Sequence, residues 1–324
     1  MPQNNFYRWM TTAMVGGSLL ACSSQNFGVP DSSQQFAASV QYNNKVDIIM
    51  MMDNSSSMLQ YQTKFANEVP SMLANLNQQG LDYHIAVVTT DMRPSGNGGQ
   101  LIGTPNFLTN STPNLTALLQ SRVTIGEAGS DLERGLQSIE TVLQPSYLTG
   151  NGAGFLRDDA LLAMVALSNE DDSSADSVAT LETFFDSLKR PFPNGSKSWI
   201  MNFVGVLSID GQCATTADYK EAGLRWMELT EYSGGIESSI CDTTLALAVA
   251  NIRSRIVEVL SEYPLKSKPI LSSIAVHENG ALVPMDATNG WTYDAATNSI
   301  RFHGTYLPAA TSNLHVDYSP DGGN

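Results

Sequence analysis

The sequence contains few of the residues that build common catalytic and cofactor sites. Its 324 residues include only three cysteines and four histidines. There is no Cys-x-x-Cys pair or Cys/His cluster, which argues against a zinc site, and there is no His-Glu-x-x-His motif. No P-loop or Gly-x-Gly-x-x-Gly motif follows a predicted strand, so the usual nucleotide-binding loops are missing too. No catalytic residue is therefore predicted.

Basic residues are also scarce. Lys and Arg number 17 against 32 Asp and Glu, and the formal net charge is -15. Nucleic acid is excluded as an expected partner, because neutralising phosphates requires Lys and Arg. An excess of acid is compatible with a cation site, although it is also common in ordinary soluble secreted proteins.

The N-terminal apolar run is too short to cross a bilayer as a mature helix. It extends from Trp9 to Ala21, and Arg8 is the only charged residue before Cys22. This pattern predicts a signal peptide over residues 1–21. The run ends in Leu19-Leu20-Ala21-Cys22, which resembles the bacterial lipobox and implies that Cys22 is lipidated and becomes the first mature residue. The alternative is an unmodified cleavage site with an incidental Cys.

If Cys22 is lipidated, the protein belongs to a bacterial cell envelope, and this anchor is its only contact with a membrane. By the same resemblance, Ser23 in place of Asp favours the outer membrane. The following segment, rich in Ser, Gln and Asn, predicts a flexible tether over residues 22–40. Cys213 and Cys241 are predicted to form a disulfide, as an isolated pair in an exported protein usually does, and the alternative is two buried thiols.

The segment from Val46 to Met52 has apolar residues at both odd and even positions. Both faces of this segment should be covered, as in a central strand of a parallel sheet. Further apolar runs alternate with helical patterns as far as Tyr263, although Pro70 should kink or break the first helix. The order predicts an α/β domain over residues 41–263, with a doubly wound, mostly parallel sheet and helices on both faces.

The pattern changes after Pro264. Short alternating runs are separated by turn signals such as Asn279-Gly280 and Asn289-Gly290, which favour β-hairpins. We therefore predict a small all-β appendage over residues 264–324.

The first strand ends in Asp53, Ser55 and Ser57, and a helical pattern follows at once. Asp-x-Ser-x-Ser in this context resembles the metal-ion-dependent adhesion site of von Willebrand factor A domains. In that family three loops supply the ligands of a divalent cation, and these three side chains match the first loop. Oxygen ligands suit Mg²⁺, Ca²⁺ or Mn²⁺. The alternative is that Ser55 or Ser57 caps the helix.

The other two loops depart from the family pattern. Ser130 stands where the family usually has Thr, and it also forms Ser-x-x-Glu with Glu133, the signature of a helix capping box. Asn169 stands where the family has Asp, so a bound ion would be held more weakly. Asp171 and Asp172 either supply the missing charge or form a solvated acidic turn.

Together with the lipobox-like segment, the resemblance implies a non-enzymatic, lipid-anchored protein that binds a protein partner through the ion at Asp53, Ser55, Ser57, Ser130 and Asn169. An acidic side chain of the partner would complete the ion's coordination. Two alternatives remain. One is a metal-independent structural component of the envelope, and the other is a hydrolase that uses the ion as a Lewis acid and Asp171 as general base.

Overall fold

The computed structural model describes residues 32–36, 44–192, 196–215, 221–306, 308 and 312–322. The predicted signal peptide and the predicted lipidation site Cys22 lie outside these residues. Within them the strands are β1 Ser32–Phe36, β2 Lys45–Met52, β3 Asp82–Thr89, β4 Leu108–Thr109, β5 Leu161–Ser168, β6 Trp199–Gly205, β7 Glu237–Ser239, β8 Glu262–Pro264, β9 Ala275–Glu278, β10 Ala281–Val283, β11 Trp291–Asp294, β12 Ser299–Phe302 and β13 Leu314–Tyr318. The α-helices are α1 Leu59–Gln78, α2 Leu115–Val123, α3 Gly135–Leu143, α4 Pro145–Leu148, α5 Val178–Leu188, α6 Leu224–Ser233 and α7 Ala246–Leu260.

A six-stranded sheet with the order β4-β3-β2-β5-β6-β7 forms the centre of the molecule. All neighbouring pairs are parallel except β3 and β4, which are antiparallel. β2 lies between β3 and β5 and is buried from Val46 to Met52. The predicted α/β class is confirmed at this level, as is the predicted central position of the first apolar run.

Two apolar cores cover the two faces of this sheet. Ile48, Met50 and Met52 of β2 belong to the core that contains α1, α2 and α7. Ile49 and Met51 belong to the core that contains α3, α5 and α6. This arrangement explains why β2 has no polar position between Ile48 and Met52, since successive side chains of a strand point to opposite faces.

Helix α1 is continuous from Leu59 to Gln78, so of the kink or break predicted at Pro70 the break does not occur. Proline has no backbone N–H, and the carbonyl of Ala66 therefore lacks its usual helical donor. The side chain of Gln120 on α2 supplies one, because its Nε2 donates to the Ala66 carbonyl oxygen at 3.0 Å.

The residues after α7 form two antiparallel sheets, as predicted. Their strand orders are β1-β13-β9-β10 and β11-β12-β8. The β9–β10 hairpin turns at Asn279 and Gly280, whose φ angles of 51° and 83° match the turn predicted for Asn-Gly. We call these two sheets the β unit. Apart from β1, it begins at Glu262, where the predicted boundary was residue 264, and its core is continuous with that of α1, α2 and α7.

One strand of the β unit comes from the other end of the chain. β1 pairs antiparallel with β13, from Ser32 opposite Tyr318 to Phe36 opposite Leu314. These five residues lie in the segment predicted to be a flexible tether, and the structure gives them a regular extended conformation instead. Among the described residues, no helix combines the length and apolar character that spanning a membrane requires.

Candidate functional site

Three polar residues meet where the three central strands end. Asp53 follows β2, Thr90 follows β3, and Ser168 is the last residue of β5. Their exposed fractions are 0%, 1% and 1%. We call the side of the sheet where the parallel strands β2, β3, β5, β6 and β7 end the carboxyl-end edge. Open α/β sheets bind their ligands on this side.

The Asp53 carboxylate organises the loop that follows β2. Its Oδ1 accepts hydrogen bonds from the backbone N–H of Ser55 at 2.8 Å and from the Thr90 hydroxyl at 3.4 Å. Its Oδ2 accepts from the hydroxyl of Ser168 at 2.8 Å. Asp53 therefore connects the ends of all three strands.

Glu133 brings a second buried carboxyl group to this cluster. Only 3% of it is exposed, and its Oε2 lies 3.2 Å from the Ser168 hydroxyl that also contacts Asp53. Burial and the adjacent Asp53 raise the pKa of Glu133 to about 10, and the nearby Ser55 hydroxyl opposes this shift. Glu133 is consequently protonated at neutral pH, because two adjacent buried carboxyl groups do not both ionise without a balancing charge.

In the part of the chain that the structure describes, no protein cation balances these carboxyl groups. Among the ion pairs of the described residues, none joins a Lys or Arg to Asp53 or Glu133. Ser55 Oγ and Glu133 Oε1 are buried and make no hydrogen bond of good geometry within the described part of the chain. A set of carboxylate and hydroxyl oxygens without a positive partner fits a hard divalent cation.

The described residues contain no group of three or more His, Cys, Asp or Glu side chains placed to hold a metal ion. An ion at this edge would therefore depend on hydroxyl and amide oxygens in addition to Asp53 and Glu133. Neutral oxygens contribute less attraction than carboxylates.

Ser57 and Asn169 lie next to this cluster and contact each other. The Asn169 side-chain amide donates to Ser57 Oγ at 3.0 Å, and Asn169 is fully buried. An ionised Asp at position 169 could not donate this hydrogen bond. Neither Ser55 nor Ser57 caps α1, because Met58 is the residue before this helix and no side chain at that position caps it. The helix-cap alternative is therefore wrong.

Ser130 lies beside the Asp53 loop, but its hydroxyl has another partner. The backbone N–H of the preceding Gly129 donates to the Asn54 carbonyl at 2.7 Å, and a Cβ on Gly129 would stand 2.5 Å from that oxygen. Ser130 Oγ accepts from the N–H of Leu132 at 3.0 Å. No hydrogen bond of the described residues joins Ser130 to Asp53 or Ser55.

The capping box of Ser130 and Glu133, the alternative to coordination by Ser130, does not form. Helix α3 begins at Gly135 and is capped from the loop after β5, where Asp172 Oδ2 accepts from Leu136 N at 3.0 Å and Ser174 Oγ accepts from Gln137 N at 2.9 Å. Because this loop satisfies the helix start, Glu133 can turn toward Asp53.

Asp171 and Asp172, in the loop after β5, both hold helix starts. Asp172 is buried and caps α3, while Asp171 Oδ1 accepts from the backbone N–H of Arg225 at the start of α6, at 2.9 Å. They therefore form neither a solvated acidic turn nor a pair of side chains directed at Asp53. Burial raises the pKa of Asp172, against the hydrogen bonds from Ser174 and Leu136.

Sequence reasoning missed Glu133, Thr90 and Ser168 as members of the cluster. Thr90 and Ser168 did carry a signal, since each is a polar residue directly after a buried apolar run. Parallel strands end on the same side of a sheet, so polar residues at their carboxyl ends are expected to meet. Glu133 follows no strand and carried no such signal.

The predicted disulfide is confirmed. Cys213 and Cys241 are bonded, with their Cα atoms 5.3 Å apart. The bond joins the loop after β6 to the segment after β7, and Gln212 Nε2 donates to the Cys241 carbonyl at 2.8 Å. It therefore fastens two loops of the carboxyl-end edge to each other.

Comparison with known proteins gives matches at the level of structure. No protein-family model matches the sequence, and no curated protein matches it either. Among solved structures, proximal thread matrix protein 1 from the mussel byssus matches with 9% identity and a TM-score of 0.43, over 69% of this chain and 50% of that one. The pilus adhesin SpaC from Lactobacillus rhamnosus GG, in its open conformation, matches with 11% identity and a TM-score of 0.43, over 85% of this chain and 38% of that one.

Another crystal structure of the same adhesin matches with a TM-score of 0.44. The chain thus corresponds to half or less of the length of these proteins. Identities this low, with TM-scores below 0.5, transfer neither a name nor a function to the chain.

Proposed function

We propose that the α/β domain is von Willebrand factor A-like and binds a protein partner through a divalent cation at the carboxyl-end edge. One observation carries this proposal. Buried Asp53 and buried Glu133 share the hydroxyl of Ser168, and among the described residues no Lys or Arg forms an ion pair with either carboxyl group. A bound cation would let both buried carboxyl groups ionise, which two adjacent buried carboxyl groups do not do without a balancing positive charge.

Asp53, Ser55 and Ser57 would hold the ion, together with Glu133 and the oxygens of Ser130 and Asn169. Mg²⁺ is the expected ion, with Ca²⁺ or Mn²⁺ as substitutes. The bound cation would supply the missing positive charge and a coordination position for an acidic side chain of the partner. The proposed role is adhesion or scaffolding without catalysis, in a protein anchored to the bacterial envelope through Cys22.

The direct test is calorimetric titration of Mg²⁺, Mn²⁺ and Ca²⁺ into the chain that begins at Ser23. Excess acetate should be present to represent the partner's carboxylate. We expect saturable binding in the wild type, loss of binding in Asp53→Asn, and weakened binding in Glu133→Gln. The matched control is Asp131→Asn, because Asp131 is exposed in the same loop as Glu133. Absence of saturable binding in the wild type, or equal binding in Asp53→Asn, would refute the metal site.

A second candidate is a metal-independent scaffold with the same fold. The hydrogen bond from Asn169 to Ser57 favours it, because this contact satisfies side chains that the family uses for the ion. EDTA separates the two candidates: metal-assisted binding of a partner should be lost in EDTA, whereas scaffold contacts should persist.

A further inference from the structure

Large apolar side chains are exposed around the candidate site. Leu59, Leu132 and Leu224 are 42%, 50% and 63% exposed. Leu59 begins α1, and Leu224 begins α6. Helices that follow parallel strands start at the carboxyl-end edge, so these residues lie on the same side of the sheet as Asp53.

Hydrogen bonds place each leucine beside a loop of the site. The N–H of Leu59 donates to Glu127 Oε1 at 3.0 Å, in the segment that precedes Ser130. The N–H of Leu132 donates to Ser130 Oγ at 3.0 Å. Leu224 directly precedes Arg225, whose N–H donates to Asp171. The three leucines therefore lie beside the loops that carry the site residues.

A single exposed leucine needs no explanation, but three around one polar cluster do. Two more exposed apolar residues lie near the same edge, Ile209 in the loop after β6 and Leu247 in the first turn of α7, with exposed fractions of 61% and 66%. Exposed apolar side chains that are grouped on one side of a protein mark a site of protein interaction.

The polar residues between these side chains are mostly acidic. The exposed or half-buried acids of the edge are Glu127, Asp131, Glu170, Asp171, Asp176, Asp210, Glu221 and Asp242. Its described arginines include Arg93, which is paired with Asp91 through two bonds of 2.7 and 2.6 Å, and Arg225, which donates to the carbonyls of Ser174 and Asp176. The electrostatic potential over this edge is negative, so the edge attracts a partner that carries positive charge.

We infer that the carboxyl-end edge docks a protein surface in which apolar side chains are surrounded by Lys and Arg. Charge complementarity selects this occupant, and it disfavours a second copy of this chain, whose net charge is -15. The inference deepens the proposed function, which requires a carboxylate of the partner over the ion. The apolar part of the contact rests on Leu59, Leu132 and Leu224. The basic part rests on the acids of the edge, and neither part requires the ion.

The test is selection of a random displayed peptide library on the immobilised chain beginning at Ser23, once in Mg²⁺ and once in EDTA. We expect enriched peptides to combine apolar residues with Lys or Arg under both conditions, and to contain Asp or Glu only after selection in Mg²⁺. The double variant Leu132→Ser/Leu224→Ser should bind the selected peptides about tenfold more weakly or worse. Leu282→Ser is the matched control, since Leu282 is 65% exposed on β10, which belongs to the β unit and not to the six-stranded sheet.

Raising the salt concentration should weaken peptide binding, because the acids of the edge are exposed and therefore screened. Circular dichroism melts of all variants ensure that a loss of binding is not a loss of fold. Enriched peptides without basic residues, equal binding to the double leucine variant, or no enrichment at all would overturn the inference.

The two proposals fail in distinguishable ways. Peptides that depend on the leucines but bind equally in EDTA and to Asp53→Asn would retain the docking surface and refute the metal site. Peptides that require Mg²⁺ and Asp53 but bind the leucine variant normally would support the metal site and refute the docking surface.

Discussion

At the scale of single residues, Asp172 holds the start of α3. Its two carboxyl oxygens accept hydrogen bonds from Leu136 N and Ser174 N, and it is 5% exposed. Asp172→Ala removes both acceptors, so we expect a loss of about 2 kcal/mol in the free energy of unfolding. Urea denaturation measures this loss. The control is Asp158→Ala at an exposed acid, which should change the free energy of unfolding by less than about 0.5 kcal/mol.

Asp172 should also leave a signature in the pH dependence of stability. Burial raises its pKa in the folded protein above the ordinary value of 3.8. Between these two pKa values the folded state binds more protons than the unfolded state, so stability falls as pH rises. The advantage of the wild type over Asp172→Asn should therefore be largest below about pH 4 and shrink on the way to pH 8. An advantage that widens with pH, in urea midpoints measured across this range, would contradict the assignment.

Glu133 shows why part of the site was not predictable from the sequence. Ser130 and Glu133 have the spacing of a capping box, and local spacing supports that interpretation. The true caps of α3 come from Asp172 and Ser174, more than thirty residues later in the sequence. A tertiary contact thus overrode the local motif, and nothing in the local sequence indicates that contact.

At the scale of elements, α1 and α2 are joined through a proline. Gln120 donates to the Ala66 carbonyl that Pro70 leaves without a helical donor. Gln120→Ala should lower the free energy of unfolding by about 1 kcal/mol in the wild type. In a Pro70→Ala background the restored backbone N–H serves Ala66, so the same change should have little effect. A double-mutant cycle in urea measures this coupling, and additive effects would disprove it.

The disulfide fastens two loops of the carboxyl-end edge across 28 residues. Replacing both cysteines, Cys213→Ala with Cys241→Ala, should lower the free energy of unfolding by about 3 to 4 kcal/mol under the loop-entropy model. Wild type unfolded in the presence of a reductant should approach the variant, while the variant itself should not respond to the reductant. A variant as stable as the oxidised wild type would contradict this prediction.

Apolar periodicity predicted the long elements and missed some short ones. β2, β3, β5 and β6 are buried over most of their length, and continuous apolar runs marked all four. β1 has the sequence Ser-Ser-Gln-Gln-Phe and joins its sheet through backbone pairing with β13. A strand defined by its partner's backbone carries little signal in its own side chains. β7 and β4, of three and two residues, are too short to show a period.

At the scale of the whole molecule, the first and last strands complete one sheet of the β unit. A chain that begins at residue 44 lacks β1 and exposes the edge of β13 from Leu314 to Tyr318. Exposed edges pair with other chains, so this shorter chain should show a larger average mass by light scattering as its concentration rises. A chain that begins at residue 31 is the control. Equal masses for both chains would show that β1 does not protect this edge.

The α/β architecture was predictable because it follows from the alternation of strand and helix patterns along the sequence. Buried strands alternating with helices place Asp53, Ser168 and Asn169 on one side of the sheet. The hydrogen-bond partners of the side chains at the carboxyl-end edge were not predictable, because loop conformation determines them. Ser130 shows this, since its hydroxyl is bonded to Leu132 N while Glu133 occupies the place beside Asp53.

The central position of β2 determines how the molecule would carry tension. The chain enters this strand at Lys45 and leaves it at Asp53, so a pull between the N-terminal side and a partner at the carboxyl-end edge acts along the strand. β2 is paired with β3 from Lys45 to Met52 and with β5 from Val46 to Met52. Such a pull loads both hydrogen-bond ladders in shear, and their evenly spaced bonds share the force instead of opening one at a time. A partner held at Asp53 would thus be connected to the rest of the chain through the strand that resists extraction on both sides.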